Sequence, residues 1–468
     1  MAGESFSRIE IACLEGRAQS VRFRQRSFHS LYNTLKASAS NIKDAIGADT
    51  GHTDAEVTLE YTLAISELRT HYDELNLEED VKSQHSLENP KATTNAGIIY
   101  LIPSKQNLFY SVVSALTASL AAGNCVVVEL PTTLTQVSGL LRKILPSALD
   151  SDVFAISSTR PSEDFLSKCQ VVSQVEEDAS SAKVVAIVDR SANVPEAASI
   201  IGTSRVTFNG RAAYAPDIVL VNEFVADDFL FHLVQAITTP LSKPSSAVSQ
   251  QRSKAQSDGA SQIMKELESS DGVRIVMSGA SGNIVEVKDR QKAPLGRRID
   301  GRVILVCRIT SLDDAIDLCN DLKTPLQATY VFAAPTEANY LSRYTDARIS
   351  CANHIPTELL VGPFAPQAQT VPPSPSPRYP SILFRAPRPR LAQPSNLTSI
   401  FREVTKSRSI KGLESWAQSI TGTPLPAIKQ ADGRATGFFD QAFMVVGSAA
   451  FVVLTGSAYM LFRVWRKR

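Results

Sequence analysis

The sequence predicts an α/β fold built on parallel β-sheet. Two apolar runs, NAGIIYLIP and CVVVELP, flank a long apolar segment that closes at Gly123 and Asn124, residue types that end helices. This order is a β-α-β unit, and strands that are apolar throughout are typical of parallel sheets covered on both faces. A second alternating unit follows, in which a helical pattern over 312–322 lies between apolar runs at 303–309 and 329–334. Further strands are predicted at 184–189 and 217–221.

The segment from about Glu10 to Leu75 is predicted to be helical. Apolar side chains between Val21 and Ile46 recur at the turns of one long amphipathic helix, and 53–72 repeats the pattern. We expect these helices to lie on the outside of a larger core.

Composition excludes several classes of function. The formal net charge of the 468 residues is +1, which gives no overall attraction to nucleic acid or to a membrane surface. The six cysteines and six histidines are scattered singly, a distribution that suggests neither a disulfide framework nor a metal site.

The amino terminus lacks a cationic stretch followed by an apolar run, so we expect no secretory signal. A chain of this length has room for two or three domains.

An uncharged run at 441–462 predicts a transmembrane helix. It lies between Asp440 and Arg463, and at about 1.5 Å per residue it would extend roughly 33 Å, enough for a hydrocarbon core of about 30 Å. The alternative, a buried core helix, would need further chain to cover it. We therefore expect a single-pass tail anchor with a cytosolic body, in the mitochondrial outer membrane, the peroxisome or the endoplasmic reticulum.

A proline-rich tract with interspersed arginines occupies 363–394, and 400–420 is predicted to form one more helix. The density of proline predicts a stiff, solvated spacer between the globular body and the membrane. A second hypothesis makes the tract a docking site for a proline-binding module or for anionic lipid headgroups.

Four further segments carry a more specific signal. They are LAAGNCVVVELP, KVVAIVDRSANV, FNGRAAYAPDIVLVNEFVADDF and VCRITSLDDAI, at 120–131, 183–194, 208–229 and 306–316. In this order they resemble the aldehyde dehydrogenase family, specifically its shorter fatty-aldehyde dehydrogenase branch, some members of which carry a C-terminal membrane anchor. The resemblance covers about 10–365 and implies a Rossmann-type parallel sheet plus a second α/β domain.

The resemblance also implies a catalytic site, and this chain differs from the family at the key positions of that site. Members of the family oxidise aldehydes with NAD(P) through a cysteine nucleophile. Their Gly-Gln-x-Cys-x-Ala-Pro-Asp segment corresponds to Gly210–Asp217, where the intact Ala-Pro-Asp sets the register. Ala213 then replaces the nucleophile, and a methyl group cannot attack a carbonyl. We do not expect Cys169 or Cys307, the nearest cysteines in sequence, to replace it.

The family's general base is a glutamate in a Glu-Leu-Gly-Gly-Lys segment. That segment corresponds to 179–183, where Ala179 takes the place of the base and only Lys183 matches. A slipped register would offer Glu176 or Glu177 instead, although we expect these to be solvated loop carboxylates.

The oxyanion donor and the cofactor contacts differ from the family pattern as well. The family's donor asparagine corresponds to Gln106, and Gln106 or the adjacent Asn107 retains an amide that can donate. Glu129 replaces the lysine that contacts the adenine ribose, and Arg298 replaces a cofactor-binding glutamate. After the predicted strand 169–174, the glycine turn and the helix that hold the dinucleotide phosphates in the family are missing.

The combined loss of nucleophile, base and nucleotide cradle predicts a pseudoenzyme that serves as a scaffold or ligand-binding partner, with no cofactor, metal or nucleic acid. Because the proline-rich tract replaces the family's oligomerisation segment, we do not expect a family-type homodimer. Two alternatives stay open: an active NAD(P)-dependent fatty-aldehyde dehydrogenase with an unconventional site, and a mis-assigned intron that removes residues after 174. The expected domains are an N-terminal helical part (1–95), a truncated Rossmann-like portion (96–190), a degenerate catalytic-type α/β domain (191–362), the spacer with a short helix (363–440), the transmembrane helix (441–462) and a basic tail (463–468).

Overall fold

The computed structural model divides the chain into two compact units, Met1–Leu391 and Ala392–Arg468. The residues that it describes are 6–175, 183–238, 258–296, 298–299, 301–322, 326–366, 377–427 and 442–448.

Five helices form the start of the first unit. They are α1 (Ser7–Leu14), α2 (Val21–Ala37), α3 (Ala39–Thr50), α4 (Asp54–Asp73) and α5 (Leu77–His85). The prediction of one long helix over 21–46 is wrong, because Ser38 (φ −95°, ψ 9°) leaves the helical conformation and separates α2 from α3. A capping box begins α4: the Thr53 hydroxyl accepts from the Glu56 N–H, and the Glu56 carboxylate accepts from the Thr53 N–H.

A four-stranded parallel sheet forms the first layer of β-structure, in the order β4-β3-β2-β5. The predicted β-α-β unit is confirmed at its centre, where α6 connects β2 to β3 and is buried over almost its whole length. The strands are β2 (Ile98–Ile102), β3 (Cys125–Glu129), β4 (Phe154–Ser157) and β5 (Cys169–Ser173). The helices that connect them are α6 (Leu108–Ala121), α7 (Gln136–Ala148) and α8 (Glu163–Leu166).

A seven-stranded sheet lies at the centre of the rest of the unit, in the order β12-β11-β6-β7-β10-β9-β8, with only β8 antiparallel. The strands are β6 (Val184–Val188), β7 (Ile218–Asn222), β8 (Val273–Gly279), β9 (Gly282–Val287), β10 (Val303–Ile309), β11 (Ala328–Phe332) and β12 (Ser350–Ala352). The helices are α9 (Val194–Val206), α10 (Ala226–Thr238), α11 (Asp258–Glu268), α12 (Leu312–Asn320) and α13 (Pro335–Tyr344). The predicted α/β class with parallel sheet is confirmed. The hairpin β8–β9 and the short edge strand β12 were not predicted.

A fully buried ion pair joins the elements around this sheet. The Arg205 guanidinium, at the end of α9, lies 3.2 Å from the Asp217 carboxylate, directly before β7. Arg205 also donates to the carbonyls of Val303 and Ile299, while Asp217 accepts from the N–H groups of Val184 and Ile299. Each charge is therefore surrounded by hydrogen bonds, the condition under which a buried pair offsets its cost of desolvation.

The second half of the proline-rich tract belongs to the first unit, so the prediction of a solvated spacer does not hold there. Strand β13 (Arg385–Pro387) pairs antiparallel with β1 (Thr93–Asn95). Tyr379 and Phe384 are almost completely buried. Pro387 can end β13 because proline, which has no N–H to donate, is tolerated in edge strands.

The second unit contains α14 (Asn396–Ser407) and α15 (Lys411–Thr421). The prediction of one helix over 400–420 is wrong, because Arg408 adopts a left-handed conformation (φ 53°) between the two helices. Residues 442–448 are helical, and the rest of the predicted transmembrane run lies outside the described residues. Among the residues that the structure describes, no helix is both long enough and apolar enough to cross a bilayer.

Candidate functional site

The loop that carries Ala213 leaves α9 through a tight left-handed turn. Phe208, Asn209 and Gly210 have φ values of 52°, 58° and 73°. A Cβ atom on Gly210 would lie 2.2 Å from the carbonyl carbon of Gly301, so only glycine permits this approach. The turn leads Ala213 into the interior, where only 6% of the residue is exposed.

Arg298 holds the backbone of this loop. Its guanidinium donates to the carbonyl oxygens of Ala213 and Ala212, at 2.7 and 2.8 Å. The same guanidinium lies over the ring of Phe364, with its central carbon 5.2 Å from the ring centroid. Two predicted site positions, Arg298 and Ala213, are therefore in direct contact, and the contact joins an arginine to a backbone rather than to a cofactor.

Aromatic side chains pack beyond Ala213. The rings of Tyr214 and Phe364 meet edge to face with centroids 4.7 Å apart, and the buried guanidinium of Arg378 lies 5.3 Å from the Tyr214 ring. The Tyr214 hydroxyl accepts from the N–H of Ala365, and its carbonyl accepts from the hydroxyl of Tyr330. This side of the loop is thus filled by protein atoms.

The two amides predicted as oxyanion donors are used differently. Asn107 is buried, and its amide group donates to Glu60 at 2.9 Å while its amide oxygen accepts from the Gly362 N–H at 3.3 Å. Gln106 is exposed, and its backbone N–H donates to Ser104. Asn107 is therefore a structural residue, and Gln106 keeps its side chain at the protein surface.

The residues at the predicted cofactor positions have hydrogen-bond partners within the protein. Glu129, at the end of β3, accepts a 2.6 Å hydrogen bond from the Tyr100 hydroxyl, and burial together with this carboxylate raises the pKa of Tyr100. Ten residues, 174–183, connect β5 of the four-stranded sheet to β6 of the seven-stranded sheet. Gln174 closes the end of β5 by accepting from the Ser104 N–H and donating to the Ser111 carbonyl.

The other predicted site residues lie apart from Ala213. Lys183 is buried and donates to the Leu322 carbonyl, and burial lowers its pKa. Cys169 lies on β5 and Cys307 on β10, in different sheets, and burial raises the pKa of both thiols. Ala179, Glu176 and Glu177 lie outside the described residues. Among the residues described, no group of three or more His, Cys, Asp or Glu side chains could hold a metal ion.

A cavity of about 150 Å³ lies beside this loop. Its wall includes titratable residues that the sequence analysis did not identify as site residues. Glu60 on α4 is fully buried, and burial raises its pKa to about 7 despite its hydrogen bonds with Asn107 and the Tyr110 N–H. Burial also lowers the pKa of His52 to about 4. The helical periodicity of α4 predicts that Glu60 faces inward with Val57 and Ala64, but only the fold supplies its partners.

The sequence pattern of the aldehyde dehydrogenase family matches residues 179–365. The chain therefore contains an aldehyde dehydrogenase family domain. It is 21% identical over 373 residues to aldehyde dehydrogenase family 3 member B3 of Mus musculus, covering 71% of this chain and 77% of that relative. It is 22% identical over 357 residues to family 3 member B1 of Rattus norvegicus, covering 68% and 75%. The predicted family is confirmed, and both relatives are members of family 3.

Solved structures of aldehyde dehydrogenases share the fold. AldH of Staphylococcus aureus, in a substrate-bound state, superposes with a TM-score of 0.65 at 15% identity, covering 89% of this chain and 98% of that one. Succinic semialdehyde dehydrogenase of Streptococcus pyogenes, solved in complex with NADP+, has a TM-score of 0.62 at 14% identity, covering 83% and 94%. The aldehyde dehydrogenase-like fold with its Rossmann-type sheet is therefore confirmed.

Replacement of Glu60 by glutamine tests the buried carboxyl of the cavity. Because the folded pKa of about 7 lies above the ordinary value of 4.5, the folded chain binds more protons than the unfolded chain between these values. The Glu60 contribution to stability is therefore present below about pH 4.5 and lost as the pH rises through about 7. Over this interval, Glu60→Gln should gain on the order of 3 kcal/mol in unfolding free energy relative to wild type, measured by urea denaturation across the pH series.

His52 titrates in the opposite sense, because its depressed pKa makes stability fall as the pH falls from 6.5 towards about 4. The quantity to follow is therefore the difference in unfolding free energy between variant and wild type at each pH. The His52 contribution cancels in this difference. Glu78→Gln, at an exposed position in the first turn of α5, is the matched control and should show no such difference. If the difference in unfolding free energy between Glu60→Gln and wild type does not change with pH, the raised pKa of Glu60 is contradicted.

Proposed function

We propose that this chain is a catalytically inactive member of the aldehyde dehydrogenase family that serves as a scaffold or a ligand-binding protein. The observation that carries the proposal is Ala213, at the position of the family's nucleophile. A methyl side chain offers no electron pair to a carbonyl carbon. The backbone around it is held by Arg298 and packed against Tyr214 and Phe364, so the loop has little room to move a substitute group into place.

The cofactor side supports the same proposal. Hydride transfer needs a nicotinamide beside the reacting carbon, and the family's cofactor residues are Glu129 and Arg298 here. Glu129 is hydrogen-bonded to Tyr100, and a carboxylate at this position would repel a 2′-phosphate. Arg298 is committed to the carbonyls of Ala212 and Ala213. We therefore propose that the chain does not use NAD(P). The alternative function, an active dehydrogenase with an unconventional site, draws support from the relatives but from no residue of this site.

The membrane anchor at 441–462 is also a proposal, with a single pass and a cytosolic body. Support comes from the uncharged run in the sequence and from 442–448, where Phe443, Met444, Val445 and Val446 are all more than half exposed. Docking of a proline-binding module or of anionic lipid to the proline-rich tract at 363–394 stays a hypothesis. The absence of a family-type homodimer stays a prediction.

A turnover assay tests the proposed inactivity. The purified full chain, mixed with NAD or NADP and aliphatic aldehydes of several lengths, should form no reduced nicotinamide above the rate without protein. Ala213→Cys should stay inactive as well, because restoring the nucleophile leaves the base and the cofactor contacts missing.

The matched control is Ala212→Cys, which adds the same thiol one residue earlier in the buried loop. Turnover by the wild-type chain would contradict the proposal and favour the active dehydrogenase. Turnover by Ala213→Cys alone would show that the cofactor site is intact, and would contradict the proposed loss of NAD(P) binding.

Replacement of Val452 by arginine tests the anchor. A charge near the middle of a transmembrane helix opposes insertion by about 2.5–3.5 kcal/mol, so the variant should move to the soluble fraction. The measurement is alkaline extraction of membranes from cells that express the full chain, with Val452→Leu as the matched control that should stay bound. If Val452→Arg resists extraction as the control does, the run is not the anchor.

A further inference from the structure

The cavity beside the Ala213 loop lies within the first unit, where the junction of α3 and α4 meets the start of α6. Its volume of about 150 Å³ is that of a cavity that holds benzene, a ligand of about six non-hydrogen atoms. One part of the wall is apolar and consists of Ile46, Leu108, Val137 and Phe208. The cavity is thus large enough for a small organic molecule with a short hydrocarbon portion.

His52 supplies a buried nitrogen atom that has no hydrogen-bond partner in the described part of the chain. The residue is only 8% exposed and lines the cavity, and its ring meets Phe208 edge to face with centroids 5.1 Å apart. Its Nδ1 atom makes no hydrogen bond among the described residues. A buried nitrogen without a hydrogen bond destabilises the folded state, and a ligand in the cavity that bonds to Nδ1 would remove that cost. Because the pKa of His52 is lowered to about 4, its neutral ring has one N–H to donate.

The charged groups around the cavity favour a negative ligand. Lys105, at its exposed mouth, and Arg211 are cationic. The two acidic residues of the wall are already engaged: Asp49 accepts from the N–H groups of Gln136 and Val137 at the start of α7, at 2.9 and 2.8 Å. Glu60 is the other, and its carboxyl group accepts from the Asn107 amide and the Tyr110 N–H.

The start of α6 also favours a negatively charged ligand. The cavity is lined by Gln106, Asn107 and Leu108, which precede or open a helix of 14 residues, and the N-terminus of such a helix carries partial positive charge. A singly charged anion suits this surrounding better than phosphate, because a second negative charge would lie near Asp49 and Glu60.

We propose that this cavity binds a short-chain aliphatic carboxylate of about two to four carbons, with the carboxylate towards His52, Lys105 and Arg211 and the alkyl chain against the apolar wall. This inference rests on the proposed function, since it names the ligand of a non-catalytic ligand-binding protein. It concerns residues that the family's catalytic positions do not include, apart from Gln106 at the mouth.

The test is ligand-observed saturation-transfer NMR on the full chain, in a neutral detergent and without dinucleotide. Acetate, propionate and butyrate are the probes, and butyramide, a neutral molecule of nearly the same shape, is the matched control ligand. Butyrate should bind saturably with a dissociation constant on the order of 1 mM, as expected for a ligand of six non-hydrogen atoms. Butyramide and sulfate should bind at least about tenfold more weakly, because one lacks the charge and the other has no alkyl chain.

Variants locate the binding. Lys105→Ala, Arg211→Ala and His52→Leu should each weaken butyrate binding about fivefold or more, whereas Lys91→Ala, an exposed lysine that does not line the cavity, should leave it unchanged. Thermal unfolding of each variant checks its fold. Lys105 is exposed, so its variant gives a result even where replacement of a more buried residue disturbs the structure.

Three results would overturn the inference: no saturable butyrate signal from a cooperatively folded chain, butyramide or sulfate binding as tightly as butyrate, or butyrate binding that Lys105→Ala leaves unchanged. These results are separate from those of the turnover assay. Oxidation of aldehydes by the chain would contradict the proposed function whether or not butyrate binds. If the chain shows no turnover and binds no butyrate, only this inference is contradicted.

Discussion

The buried ion pair between Arg205 and Asp217 is the interaction on which the geometry of the site depends. Both side chains are fully buried, and loss of one partner would leave an uncompensated charge, at a cost of about 3–5 kcal/mol. Arg205 binds the carbonyl of Ile299, and Asp217 accepts from the N–H of the same residue. The pair thus fixes Ile299, and it thereby places the adjacent Arg298 against the carbonyls of Ala212 and Ala213.

This dependence gives Asp217 a structural role. It closes the intact Ala-Pro-Asp segment and holds α9, β6 and the 299 segment together. Residues that differ from the family pattern make structural contacts as well. Glu129 accepts from the Tyr100 hydroxyl, and Arg298 donates to the carbonyls of Ala212 and Ala213. Both the retained aspartate and these altered residues therefore hold parts of the fold together.

The fold could be predicted largely because its strands are apolar throughout. Strands at 98–102, 125–129, 184–188, 218–222 and 303–309 are covered on both faces, so the sequence shows each as a continuous run. Strand β8 lies at a sheet edge, and each of its residues is half-buried or exposed, so the sequence shows no continuous apolar run there. The packed segment 377–391 was missed because proline density suggests a solvated spacer, whereas Tyr379 and Phe384 find their cover only in the folded unit.

The assignment of Ala213, Arg298 and Asn107 to site positions rests on sequence register and stays a prediction. Register carries no information about contacts, because the bonds from Arg298 to the loop and from Asn107 to Glu60 join residues 85 and 47 positions apart. We propose that the residues at the family's cofactor positions no longer bind a dinucleotide. Calorimetric titration of the full chain with NAD and with NADP tests this proposal most directly. We expect no saturable heat up to millimolar concentrations of either dinucleotide, and saturable binding in the micromolar range would contradict the proposal.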